Sequence, residues 1–111
     1  MYKVKDMLSS NYELITNRET MNNEFQGVYA TDLLSSAIKH MKHKEALITL
    51  ITSQTTISLA VMLDVELVII VDNQDVEQKF IDRANTENIA LVKTAYMTHE
   101  VIIDLFQRGF I

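Results

Sequence analysis

The sequence predicts an α/β domain of three layers, with a mostly parallel sheet and helices on both faces. Three observations predict it. The run Leu67–Val71 (LVIIV) is continuous and almost wholly β-branched, the pattern of a strand covered on both faces. From Thr31 onward, strand-like and helix-like segments alternate, which implies right-handed crossovers between parallel strands. The length of 111 residues, with no cysteine, fits one domain folded on its own core without a disulfide staple.

The elements follow in order. Val4–Ser9 reads as a short helix with Val4, Met7 and Leu8 on one face. Tyr12–Thr16 and Glu24–Tyr29 read as strands, joined by the turn-like stretch Asn17–Asn23. Whether they pair as a hairpin or sit apart at one edge stays open. These pieces form an N-terminal flank, residues 1–28; residues 29–111 carry the alternating units of the same single domain. Leu33, Leu34, Ala37, Ile38 and Met41 recur at helical spacing, with Thr31 or Asp32 expected to cap that helix. Lys39, Lys42 and Lys44 gather at its other end, where positive charge suits the helix dipole.

Ala46–Thr52 reads as a buried strand, and Thr55–Leu63 as a helix apolar on most faces and therefore well covered. After Leu67–Val71, Asp75–Glu87 is the clearest amphipath. Its inner stripe is Val76, Phe80, Ile81 and Ala84, with Asp75 and Lys79 placed to pair outside. Ile89–Lys93 is the last strand. The final helix, Thr98–Arg108, ends at Gly109, with Phe110 expected to fold back on Leu105 as in a Schellman cap.

In an open parallel sheet, ligands bind beyond the carboxyl ends of the strands. Those ends carry Thr31 and Asp32, then Thr52, Ser53, Gln54 and Thr55, then Asp72 and Asn73, and last Thr94. All are short and polar, and they are expected to gather on one rim beside the helix N-termini, where free N–H groups favour anions. The same residue types are the ordinary N-caps of helices, so capping is the plain alternative for each.

Several chemistries are excluded or disfavoured. There is no GxxxxGK[ST] loop, no GxGxxG and no GxSxG elbow. Gly27 stands alone in its strand and marks a bulge or a close backbone approach. His40 and His43, with His99 and Glu100 elsewhere, suggest a metal less well than a solvated basic helix end in the run KHMKHK. No metal or cofactor is expected. A formal net charge of −5 argues against a nucleic-acid partner. The start lacks an apolar leader and no apolar run reaches membrane-spanning length, so a cytoplasmic protein without a membrane partner is expected. Asp72 closing one strand and Lys93 the next suggests a phospho-accepting receiver. The acidic cluster such a domain needs to hold Mg²⁺ is absent, since Asp32 is isolated.

The order of segments carries a resemblance. GVYATDLLS (Gly27 to Ser35), ITSQTTISLAV (Ile51 to Val61), LVIIVDN (Leu67 to Asn73) and IALVKT (Ile89 to Thr94) lie in a stretch, about Val4 to Gly109, that resembles the DRTGG domain family. That family is similar to the N-terminal domain of HPr kinase/phosphorylase. The family's acidic–basic pair looks replaced by Asn22 and Asn23. Of its two glycines only Gly27 remains, with Val28 following, and Gln54 and Thr56 stand where members often show His and Asn. The resemblance implies an accessory, non-catalytic domain. Relatives are fused to phosphotransacetylases or, beside CBS domains, to regulated pyrophosphatases, and act as dimerisation and ligand-sensing units. The expected partners are therefore a second copy of the chain, a small ligand such as a nucleotide, or a partner enzyme. The alternatives are a pure assembly module without ligand, or a signalling domain phosphorylated at Asp72.

Overall fold

The computed structural model describes residues 1–111. The chain begins with β1 (Tyr2–Lys3), α1 (Val4–Met7), β2 (Glu13–Leu14), a 3-10 helix (Arg18–Asn22), β3 (Glu24–Phe25) and β4 (Val28–Ala30). It then alternates: α2 (Leu34–His40), β5 (Ala46–Thr49), α3 (Gln54–Met62), β6 (Leu67–Ile70), α4 (Gln78–Thr86), β7 (Ala90–Lys93) and α5 (Thr98–Gln107). Five strands form one sheet in the order β2-β7-β6-β5-β4. β4 to β7 are parallel and β2 is antiparallel to β7, so the expected mostly parallel α/β sheet is what forms.

Period-2 alternation splits the core into two layers. Ile48, Leu67, Ile69, Val71, Ala90 and Val92 face one side, where α1 and α5 cover them with Val4, Met7, Val101 and Leu105. Leu47, Val68, Ile70 and Leu91 face the other, under Ala37 of α2, Ile57 and Ala60 of α3, and Phe80 and Ala84 of α4. No buried side-chain nitrogen or oxygen lacks a hydrogen-bond partner, as a well-formed interior requires.

The open pairing of the flank resolves as two separate strands. β2 edges the main sheet, with Glu13 opposite Lys93 and Leu14 opposite Val92. The expected strand Glu24–Tyr29 breaks at Gly27, whose φ of +72° turns the chain out of extended geometry. A Cβ there would stand 3.7 Å from Glu45 Oε2, an ordinary contact, so Gly27 marks a bend and not a close backbone approach. Its first half, β3, pairs with β1 in a two-stranded ribbon, and its second half, β4, joins the sheet. Asn23, buried just ahead of β3, donates from its side-chain amide to the Glu66 and Asn88 carbonyls at 3.0 and 2.8 Å.

Three local expectations are corrected. α2 starts from Leu33 with no side-chain cap, because the Thr31 hydroxyl bonds Leu33 itself and Asp32 is taken by the next strand. α4 starts at Gln78, not Asp75, because the chain from Asp72 first makes a left-handed turn. Asp75 is thus outside the helix, and the i,i+4 contact is Gln78 to Asp82 at 2.8 Å. α3 is not covered all round: Val61 and Met62 are exposed. The last turn of α5 forms as expected. Gly109 has φ +88°, its N–H reaches the Phe106 carbonyl at 3.1 Å, and the Phe110 N–H reaches Leu105 at 2.9 Å. Phe110 then packs on Tyr2 and Phe25, locking the C-terminus to the β1–β3 ribbon.

Candidate functional site

All parallel strands step across the sheet in one direction, so there is no reversal of strand order to open a crevice. Something equivalent happens between β6 and β7. The chain leaving β6 enters α4 on one face, and the chain leaving β7 enters α5 on the other. Two neighbouring loops therefore diverge at the carboxyl end of the sheet, which is where open α/β sheets place ligands. They remain stitched at the root: the Asp72 N–H donates to Tyr96 O at 2.9 Å, and the Asn73 N–H to Thr94 O at 3.0 Å. To make these bonds Asp72 and Asn73 both take positive φ, +62° and +48°. Two consecutive non-glycine residues there hold local strain, a feature that clusters at functional loops.

Beside this stitch lies a cleft of about 260 Å³, lined by Ser10, Asn11, Glu13, Asn73, Lys93, Thr94, Ala95 and Tyr96. Three segments build it. The divergent loops give Asn73 and Ala95–Tyr96, the end of β7 gives Lys93 and Thr94, and the antiparallel β2 brings up Glu13 with Ser10 and Asn11 before it. Lys93 is the one cation and Glu13 stands directly across the strand pair from it. The rest of the lining is amide, hydroxyl and aromatic, with Ala95 the one aliphatic side chain. Such a set can bind an anion at the lysine and a hydroxyl at the glutamate; it holds no nucleophile–base pair.

The nine residues expected on the rim are distributed unevenly. Only Asn73 and Thr94 line the cleft. Thr94 is itself buried, its hydroxyl accepting the Tyr96 N–H at 3.1 Å. Thr31 and Asp32 sit at the far, β4 end of the sheet. Asp32 Oδ1 accepts the Thr49 hydroxyl and the Leu50 N–H, both at 2.9 Å, so it ties β4 to β5. Thr52 to Thr55 lead into α3. Ser53 is the residue before its first turn without a side-chain cap, the Gln54 carbonyl accepts Arg83 Nη1 at 3.3 Å, and Thr55 borders an apolar groove between α2 and α3. Asp72 is exposed beside the cleft, and no group of three or more His, Cys, Asp or Glu gathers anywhere to hold a metal.

Sequence reasoning missed Ser10, Asn11, Glu13 and Tyr96 as lining residues. The first three belong to the flank, and only the antiparallel register of β2 on β7 brings them to the sheet's carboxyl end. Lys93 was visible as a strand end, with no signal that a glutamate would stand opposite.

No family model matches this sequence, and no curated protein matches it. Among solved structures, the chain is similar to the CBS and DRTGG domains of the regulatory region of Clostridium perfringens pyrophosphatase, in complex with the activator diadenosine tetraphosphate. The superposition has a TM-score of 0.65 at 18% identity and covers 83% of this chain. The two share a fold. This chain spans 40% of that chain's length, so the likeness is to part of the regulatory region. No helix here is long and apolar enough to cross a membrane.

Proposed function

We propose that this chain is a DRTGG-like regulatory domain, without catalysis of its own. In this reading it binds a small anionic ligand, a nucleotide, in the cleft at the ends of β6 and β7 and works as a homodimer in the cytoplasm. The observation that carries the ligand is the cleft's pairing of Lys93 with Glu13 beside the strained Asp72–Asn73 turn. A lysine suits a phosphate as a point charge, and a carboxylate suits ribose hydroxyls. The shared fold with a nucleotide-activated regulatory region supports the same reading. At about 260 Å³ the cleft is smaller than typical ligand pockets, roughly 300–1,000 Å³, so it would hold one phosphate–ribose end and leave the base outside.

Thermal unfolding with AMP, ATP and diadenosine tetraphosphate tests this. Ligand at a hundredfold over its dissociation constant stabilises by about 2.7 kcal/mol, a rise of several degrees. Lys93→Ala should abolish the rise and leave the unliganded midpoint nearly unchanged. No response to any of the three sinks the ligand reading.

A second reading, an assembly module without ligand, is favoured by one observation: the side chains of Thr31 and Thr94 are already bonded within their own loops, and that of Asp32 to Thr49 and Leu50. It predicts a dimer that ignores nucleotides. A phospho-accepting role for Asp72 finds no support in the surrounding residues, which offer no carboxylate cluster for Mg²⁺.

A further inference from the structure

The sheet has two edges, and they are not alike. β2, at one edge, is two residues long and carries Glu13. β4, at the other, is Val28-Tyr29-Ala30, with no charge and no proline. Short strands, charges and prolines are the usual guards against edge pairing, and β4 has only its shortness. The Gly27 carbonyl accepts the Ala46 N–H and the Thr31 N–H donates to Ile48, so odd-numbered residues of this strand face β5. By the period of two, the N–H and C=O groups of Val28 and Ala30 point away from the sheet, to where no strand lies.

We propose that the β4 edge is the homodimer interface, formed with β4 of a second copy in antiparallel register about Tyr29. This names the surface for the dimer proposed above and rests on that reading. Antiparallel pairing about one residue is two-fold symmetric, as an isologous interface must be. Val28 then pairs with the partner's Ala30, and Ala30 with the partner's Val28, satisfying all four outward N–H groups of the two strands. The product is a continuous ten-stranded sheet.

The layer above the edge fits. α2 spans β4 and β5: the Ser36 and Tyr29 hydroxyls bond each other at 2.6 Å, and Ala37 packs in the same cluster as Leu47. With strands about 4.8 Å apart, a helix centred over the β4–β5 gap lies about 4.8 Å from the two-fold axis. Two such helices would be about 9.6 Å apart, inside the roughly 8–10 Å range of packed helices. Leu34 and Ile38 of α2 turn towards α3, so Ser36 and His40 lie on the flank above the open edge. Leu33, 68% exposed, precedes them. Antiparallel α2 helices would also set each basic last turn, Lys39 and His40, beside the partner's Asp32.

The test combines sedimentation with amide exchange on the intact chain. At concentrations where it sediments as a dimer, the Val28 and Ala30 amides should exchange on the order of tenfold more slowly than in the dilute monomer. Ala30→Pro, which removes an outward N–H and leaves the β4–β5 ladder whole, should shift the chain to monomer with an unchanged circular dichroism spectrum. A dimer whose Val28 and Ala30 amides still exchange fast overturns this surface and leaves the dimer standing, whether or not the proline variant folds. A dimer that survives Ala30→Pro does the same. A chain that is monomeric at every concentration overturns both the surface and the homodimer.

Discussion

Two residues that sequence reading assigned no partner hold the flank to the rest. Asn23 occupies a place where the family resemblance leads one to expect charge. Its amide instead bridges two carbonyls, of Glu66 and Asn88, on the loops that precede β6 and β7. Removing it leaves those carbonyls short of a donor in a buried place, so Asn23→Ala should cost about 2 kcal/mol in chemical denaturation. A neutral amide suits the position because it meets only acceptors. Tyr12 is the second. Its buried hydroxyl donates to Asp104 at 2.8 Å, and Arg108 lies over its ring. Burial first, then the Asp104 carboxylate, push its phenol well above the ordinary tyrosine range. The folded state thus favours the protonated phenol. That stability is fully present below about pH 10, the unfolded value, and is lost as pH climbs further. Wild type should lose stability steeply above pH 10, and Tyr12→Phe should flatten that fall. An identical slope in both would show that another group governs alkaline unfolding. Neither role was legible, because both depend on partners far along the chain.

At the scale of elements, what could be read was what repeats. β5, β6 and β7 each contain at least three fully buried apolar residues, and four-residue buried strands announce themselves by hydrophobic runs. The C-terminal cap of α5 was equally plain, because Gly109 follows an apolar helix and Phe110 follows the glycine. Its φ of +88° makes the geometry depend on glycine. Gly109→Ala should therefore lower stability by about 1–2 kcal/mol, read as a lower midpoint in thermal melts. An unchanged midpoint would mean that the last turn contributes nothing to the fold. Among the strands of two or three residues, β2 to β4 fell inside the strand-like runs Tyr12–Thr16 and Glu24–Tyr29, whereas β1 and the break at Gly27 were not legible. Tyr2–Lys3 is too short to show a period, and its pairing with Glu24–Phe25 is accompanied by the aromatic stack of Tyr2, Phe25 and Phe110. The delayed start of α4 was hidden for a different reason. Asp72 and Asn73 tolerate left-handed geometry better than most residues, yet nothing in the run Asp72–Glu87 shows where the turn gives way to helix.

For the whole molecule, alternation specified the sheet's parallel part and its layers, but not what lies beside β7. That single ambiguity hid most of the candidate site, since Ser10, Asn11 and Glu13 reach the cleft only through β2. The same pairing has a consequence in time. β4 to β7 add in chain order, each docking on the strand made just before it. β2 does not: its Glu13 and Leu14 must wait for Lys93 and Val92, some eighty positions later. During synthesis β2 emerges well before β7, the strand it must pair with. Until then the β7 side of the sheet is unfinished, and with it the cleft. A contact of such long sequence separation slows folding and makes the docking of β2 a late step. The proposed ligand site would come into being only at that step, so a chain able to bind is one in which β2 has already docked on β7.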